Sequence, residues 1–424
     1  MATSNGSTAI RDKILASLAR YRALRIGKFP CAFWRLSSRP GLTADEAQTL
    51  PLKLVTPTLA ALSHLASSHK TSVVFATATQ PVFSHLHTQI SNHCDKGWQP
   101  NEIVNEPLAL FTPLERTEYR WHSPQQRWNW NYLAEELEQH QQALCIVNLN
   151  RHAQAIIEEI DNPDVLHLST NQCPAHRQNV LAEVRERLQN KQDCILIATQ
   201  CIEAGVDIDF PIVYRAYAPL DAIIQAGGRC NREGLLEKGT VHVFCPEDES
   251  YPPDGGYQQA ADMTKELLTR LGSEAMQMHH PEFIHQYYKN LYNLSDPNAN
   301  KETQALLELI AAGAFPEIAK EYRLIKQDNI NVICPYQPLL DLYQQLETES
   351  SEIGLTKDWI QNAKPITISL YRPKTDNPIW DSLTPVLLHK RGQQEQTDWF
   401  IYNQEHYDQR LGLYPKDQLN LWIA

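Results

Sequence analysis

Between residues 72 and 244, short apolar runs alternate with helical patterns, and this constrains the fold more than any other feature. The runs are "SVVFAT" (72–77), "ALCIVNL" (143–149), "VLHLS" (165–169), "DCILIAT" (193–199), "PIVYRAY" (211–217) and "TVHVF" (240–244). Between two of them, "PAHRQNVLAEVRERL" (174–188) sets Val180, Leu181, Val184 and Leu188 on one helical face, with Pro174 suited to the first turn. Apolar strands alternating with amphipathic helices predict βαβ units, and so an α/β fold with a parallel sheet covered by helices on both faces.

The flanks read differently. The first 44 residues offer one helix, about 10 to 24, and then irregular chain. "YPPDGGY" (251–257) is a turn-rich break, followed by helical patterns at 260–272 and 301–315. From about 330, proline and aromatic residues interrupt shorter runs such as "PITISLYRP" and "DWFIYNQE", which predicts a mixed, β-leaning accessory domain. A chain of 424 residues accommodates two or three domains.

With 38 Lys+Arg against 50 Asp+Glu the net charge is −12, which argues against a whole-molecule electrostatic binder of DNA but allows a local basic groove. The nine cysteines form no CxxC pair. With no secretory signal and no run of about 18 apolar residues, the expectation is a cytoplasmic protein with reduced thiols and no membrane span. The histidines of "FSHLHTQISNHC" lack a zinc-finger arrangement and read as surface polar residues.

In parallel sheets chemistry sits at the carboxyl ends of the strands. One strand ends in Thr77-Ala78-Thr79. Another ends in Thr199 and runs on through Glu203, Gly205 and Asp207; Asn148 and Arg151 follow the strand at 143–149. Upstream lies Asp45-Glu46-Ala47-Gln48. After the strand at 211–217 comes "IIQAGGRCNREG" (223–234), where Gln225, Arg229 and Arg232 share a face if the stretch is helical. Two permanently charged guanidiniums beside Gly227 and Gly228 suit a phosphate, but on this stretch alone a solvated basic helix face is the more ordinary reading. Each fragment taken singly has such an ordinary explanation.

Taken in order, DEAQ, TAT, "ATQCIEAGVDID" and "QAGGRCNRE" resemble motifs II, III, V and VI of superfamily 2 helicases, which are built from two RecA-like domains. "TPTLAALSHLASSHKTSVVFATATQP", "ALCIVNLNRHAQAIIEEI", "HLSTNQCPAHRQNVLAEVRERL", "FPEIAKEYRLI" and "YDQRLGLYP" are similar to the CRISPR-associated helicase–nuclease of type I immune systems. The resemblance implies ATP- and Mg²⁺-dependent translocation on single-stranded DNA, partnership with a CRISPR surveillance complex, and a C-terminal accessory domain. It implies that Asp45 holds Mg²⁺, that Glu46 activates water, and that Gln48, Gly205, Asp207 and Gln225 serve the nucleotide. Arg229 and Arg232 would stabilise charge on the leaving phosphate, because a guanidinium stays charged and forks onto phosphate oxygens. Thr77 and Thr79 would couple nucleotide state to strand grip, and Asn148, Arg151 and Thr199 would contact the DNA backbone.

The departures carry equal weight. No GxxxxGK[ST] phosphate loop occurs, "LRIGKFP" being the nearest approach, and no His-Asp dipeptide of an HD nuclease is present. "SSRPGLTA", which should supply the strand leading to Asp45, has Pro, Gly and no apolar run. The expected organisation is an atypical segment 1–44, a remnant of the first RecA-like domain at 45–100, a second at 101–250, a helical region at 251–335 and the accessory domain at 336–424. Such a remnant leaves apolar faces uncovered, so the chain reads as truncated, or as completed by a separate chain carrying the missing half and the nuclease. Alone it is expected not to hydrolyse ATP. The alternatives are a non-catalytic DNA- or complex-binding module and a DNA-repair helicase of superfamily 2.

Overall fold

The computed structural model describes residues 35–36 and 41–413, apart from 70, 78, 80, 82, 102, 104–114, 204, 253–254, 294–300, 323–327, 391–392 and 403–406. The helix expected at 10–24 lies outside the described residues. The chain folds into two compact units. One comprises the described residues up to Glu115 with Pro219–Ile224 and Gln259–Lys326; the other comprises Arg116–Ala218, Gln225–Gln258 and the described residues from 327 onward.

The first unit has a three-stranded sheet of β1 (Arg35–Leu36), β2 (Gly41–Asp45) and β3 (Ser72–Ala76), in that order. β2 and β3 run parallel, with Asp45 opposite Ala76. The strand leading to Asp45 therefore exists, contrary to the sequence expectation. Its pairing with β3 extends a Gly-Leu-Thr-Ala stretch whose own propensity is weak, a tertiary override of local preference. Val74 on β3 remains 38% exposed. Helix Val55–His69 follows β2 and packs on helix Lys301–Ala312, where Thr303 donates to the Lys53 carbonyl. Thr58 and Tyr322 hydroxyls lie 2.6 Å apart, joining two segments that carried the family resemblance. Beneath β3, Phe75, Phe83, Trp98 and Tyr292 form an aromatic cluster. His85 stacks on Tyr292 and His87 Nδ1 lies 3.0 Å from the Trp98 carbonyl, so these histidines serve packing and turn closure.

The second unit is built on six parallel strands in the order β4-β10-β9-β6-β8-β7: β4 (Thr117–Trp121), β6 (Gln142–Ile146), β7 (Leu166–Leu168), β8 (Cys194–Ala198), β9 (Ile212–Ala216) and β10 (Gly239–Pro246). The two-residue β5 (Arg127–Trp128) also pairs with β10. This is the doubly covered α/β sheet that the apolar runs predict: β6 and β8 are buried almost throughout. On helix Pro174–Gln189, Val180 and Val184 are buried while Leu181 and Leu188 are half-buried.

The same unit carries a second sheet, ordered β12-β11-β16-β13, of β11 (Asn329–Ile333), β12 (Thr367–Tyr371), β13 (Leu383–Pro385) and β16 (Trp399–Tyr402). Two hairpin pairs accompany it: β14 (Leu388–Lys390) with β15 (Gln393–Glu395), and β17 (Tyr407–Asp408) with β18 (Gly412–Leu413). Its core, centred on Trp359, Tyr343 and Tyr402, also includes Cys173 at the start of helix Pro174–Gln189. His176 stacks on Tyr336 and its Nδ1 lies 2.8 Å from the Tyr407 hydroxyl. The accessory sheet is thereby locked to the parallel sheet through buried polar contacts as well as apolar area.

Candidate functional site

Asp45 ends β2, and Glu46 immediately after it has φ 56°, ψ 45°. A left-handed backbone at a non-glycine residue costs about 1 kcal/mol or more and is found where surrounding contacts over-determine it. Those contacts are visible here. The buried Gln48 donates its amide to the Glu46 carboxylate, and Thr77 donates its hydroxyl to Gln48 Oε1 at 2.5 Å. The Thr79 backbone N–H donates to Thr77 Oγ1 at 3.3 Å, and Thr79 itself is fully buried. The first unit thus brings Glu46, Gln48, Thr77 and Thr79 into one hydrogen-bonded chain across the ends of two parallel strands, with Asp45 at the adjoining strand end.

The helix after β9 is Leu220–Gly227, so Arg229 and Arg232 lie beyond it and the shared helical face does not form. A Cβ on Gly227 would meet the Tyr119 hydroxyl at 2.0 Å, so the last helical position admits only glycine, and the chain turns as Arg229 N–H donates to the Ala226 carbonyl. Gln225 stays half-buried on the last helical turn. The two arginines then part company. Arg229 is 7% exposed, and its guanidinium donates to the Ile202 carbonyl at 3.0 Å and to the Glu203 carbonyl. Arg232 is exposed and its Nε forms a 2.8 Å ion pair with Asp207. Asp207 stands on the open loop after Gly205, whose φ of +73° favours glycine. Asp209 caps the loop on the other side, accepting from the backbone N–H groups of Arg232 and Glu233 at 2.7 and 3.0 Å.

The three residues assigned to DNA contact are differently placed. Arg151 pairs with Asp248 at 2.9 Å. Thr199 is buried at the end of β8, with its hydroxyl 3.6 Å from Cys201 Sγ. Asn148 is buried, donates to the Tyr217 carbonyl at 2.8 Å, and accepts from Arg215 at 2.8 Å and from the Tyr257 hydroxyl at 3.0 Å. Arg215 itself is fully buried and forms a 2.9 Å ion pair with Glu203. Burial alone would lower the Arg215 pKa, but the neighbouring Tyr257 and Glu203 outweigh it and the group stays cationic. Burial pushes the Tyr257 phenol up to about 12, so it remains a neutral donor. Sequence reading missed Arg215 and Tyr257. The available signal was an arginine inside the apolar run "PIVYRAY", which a strand buried on both faces accepts only with a partner.

Residues 139–235, which hold β6 through the Arg229–Arg232 turn, match the family model described as CRISPR-associated nuclease/helicase Cas3, C-terminal. Over that segment the chain is similar to the C-terminal region of Cas3. Cas3 of Haloferax volcanii is 48% identical over 95 residues, covering 21% of this chain and 10% of the relative. The structure of T. fusca Cas3 with AMPPNP superposes with a TM-score of 0.59 at 18% identity, covering 90% of this chain and 53% of that one. A chain of the structure titled "CRISPR RNA-guided surveillance complex, pre-nicking" superposes at 0.53 and 17% identity, covering 90% of this chain and 55% of that one. This chain therefore spans about half the length of those solved relatives, and the sequence matches cover only part of it. At such identities the superpositions establish the fold, a RecA-like parallel sheet with a smaller mixed sheet following it. Among the described residues no helix is long and apolar enough to cross a membrane, and no group of three or more His, Cys, Asp or Glu is arranged to hold a metal.

Proposed function

We propose that this chain supplies the motif II, III, V and VI machinery of an ATP-driven translocase on single-stranded DNA that serves type I CRISPR defence. The observation that carries the reading is the position of the motif II and III residues and the start of motif V at the carboxyl ends of parallel strands, with the Arg229–Arg232 turn inside the Cas3-matched segment. The relatives' nucleotide-bound and surveillance-complex structures support ATP and that complex as partners.

In this reading Asp45 holds the Mg²⁺ that accompanies the nucleotide phosphates. Glu46 positions the attacking water, and the Gln48–Thr77 bond relays its state to Thr79. The strand-end position of Asp45 and the oriented carboxylate of Glu46 fit a magnesium nucleotide. The GxxxxGK[ST] pattern that would supply phosphate-cradling amides and a lysine does not occur in this sequence. Arg232, exposed and exchangeable between Asp207 and a ligand, is the better-placed cation for a phosphate; Gly205 and Gln225 border the same loops. Arg229 contributes charge from a fixed position. Arg151 leaves Asp248 for the DNA backbone, and Thr199 and Asn148 orient the strand-end loops around it.

The chain alone is expected to show no ATP turnover, and to gain it when mixed with a polypeptide carrying a phosphate loop. ATPase assays with single-stranded DNA, run on each alone and on the mixture, test this. Robust hydrolysis by the isolated chain, abolished by Glu46→Gln, overturns the expected dependence on a partner. No turnover in the mixture favours the second reading, a DNA- or complex-binding module. The observation behind that reading is the engagement of Arg229 with main-chain carbonyls rather than an open surface.

A further inference from the structure

Glu203 is held at both ends. Its carboxylate pairs with Arg215 of β9 at 2.9 Å, and its main-chain carbonyl accepts from Arg229. The preceding carbonyl, of Ile202, accepts from Arg229 Nε at 3.0 Å. The short helical turn Gln200–Ile202 between them is tied on its other side, where the Gln200 amide donates to the Asn148 carbonyl at 2.7 Å. Asn148 Oδ1 accepts from both Arg215 and Tyr257, and Tyr257 also receives Arg215 Nη2 at 2.9 Å. A single buried guanidinium therefore joins the loops after β6 and β8 to β9 and to helix Gly255–Leu271.

We propose that Arg215 and Glu203 are a positioning pair: they fix the 200–203 turn and, through its two carbonyls, set where the Arg229 guanidinium lies. Its relevance to turnover rests on the reading of Arg229 as a cation for phosphate, but the positioning itself does not. The physical case is that a flexible side chain is placed by what its fork touches, and the Ile202 and Glu203 carbonyls, which Arg229 engages along with the Gly228 carbonyl at 3.4 Å, both belong to this turn. A merely structural role for the ion pair is separable. Buried pairs are often replaceable by neutral side chains of similar volume without loss of stability, whereas removing one partner leaves an uncompensated charge.

The experiment uses the full chain labelled with ¹⁵N-arginine, with the Arg229 Nε–H signal assigned by its loss in Arg229→Lys. Glu203→Gln and Arg215→Met are each expected to lower the melting temperature and to accelerate exchange of that proton. The combined variant Glu203→Gln/Arg215→Met is expected to recover most of the melting temperature while Arg229 Nε–H still exchanges about tenfold or more faster than in the parent. Recovery of both in the combined variant overturns the proposal, as does an unchanged Arg229 signal in the single variants. Should the combined variant fail to fold, Arg215→Lys, which keeps the charge and loses the fork, gives the same reading: faster Arg229 exchange is expected, parental exchange overturns. In the mixture with a phosphate-loop polypeptide, the combined variant is expected to lose about a hundredfold in kcat with KM for ATP within twofold. If the parent mixture shows no turnover the motor reading fails, and the Arg229 signal still decides the positioning pair.

Discussion

The two units solve the same problem, holding polar groups at the ends of parallel strands, by opposite means. In the first, the motif side chains hold one another: Gln48 bonds Glu46, Thr77 bonds Gln48, and Thr79 leans on Thr77. In the second, side chains outside the recognised motifs do the holding, with Arg215 and Asn148 buried and Tyr257 half-buried behind the loop that carries Glu203 and Asp207. A self-bracing site loses its geometry and its chemistry together when one member is changed. A site braced from behind allows the two to be separated by mutation. The second unit also has the greater stake in buried, uncharged histidines, and the largest expected effect follows from that.

In that unit burial lowers both His167 and His176 from 6.5 to about 4. A histidine whose folded pKa is depressed binds fewer protons folded than unfolded between those values. Stability is therefore complete above about 6.5 and falls as pH drops toward 4. Between pH 7 and pH 5 each contributes a loss of about 2 kcal/mol. His167 lies within reach of Arg410 and Asp408, which act in opposite directions, and His176 of Asp408. In the first unit His93 is lowered by partial burial. Pulse proteolysis after urea at the two pH values should show fragments of the second unit appearing at lower urea at pH 5, with the first unit shifted less. Equal shifts in both units would erase this half of the comparison.

Next in size is Arg229→Ala. It leaves the buried carbonyls of Ile202 and Glu203 without their donor, at a cost of about 2–3 kcal/mol in the second unit. Urea midpoints measure it, and Arg229→Lys should recover only part, since one ammonium cannot reproduce the fork. A smaller effect tests the self-bracing unit. Glu46 has φ 56°, so Glu46→Ala should be less stable than Glu46→Gly by about 1 kcal/mol, both having lost the carboxylate. Equal stabilities would mean that the left-handed backbone is not retained once the Gln48 bond is gone.

Most of the second unit's sheet is legible in the sequence because five of its six parallel strands are apolar runs. β4 is not, since "TEYRW" has one buried residue followed by alternating exposed and half-buried ones and sits at a sheet edge. β2 was hidden for a different reason: Gly-Leu-Thr-Ala acquires strand geometry only by pairing with β3. At the candidate site, motif order singles out Glu46, Gln48 and the two arginines, but spacing suggests a helix through Arg232, and the helix ends at Gly227. What requires glycine at its last position is Tyr119, over a hundred residues earlier in the chain, whose hydroxyl occupies the space a Cβ at Gly227 would need. Contacts of that range leave no trace in local periodicity. The Arg215 network was similarly invisible, save for one charged residue in an apolar strand.

The smallest effect on stability makes the sharpest contrast, because it comes from the arginine three residues beyond Arg229. Arg232 pairs with Asp207 at 2.8 Å, but the two side chains are 45% and 80% exposed. Exposed pairs of this kind contribute little, so Arg232→Ala should move the unfolding midpoint by no more than about 0.5 kcal/mol. Its local backbone does not depend on the guanidinium, since Asp209 holds the Arg232 and Glu233 N–H groups directly. If Arg232 serves phosphate, the same variant should cost about a thousandfold in turnover of the complemented motor with folding unaffected. Arg229→Ala, by contrast, should lower stability and turnover together. A stability loss for Arg232→Ala as large as that for Arg229→Ala would show that the surface ion pair helps brace the loop. The division between a placed arginine and a free-swinging one would then have to be abandoned.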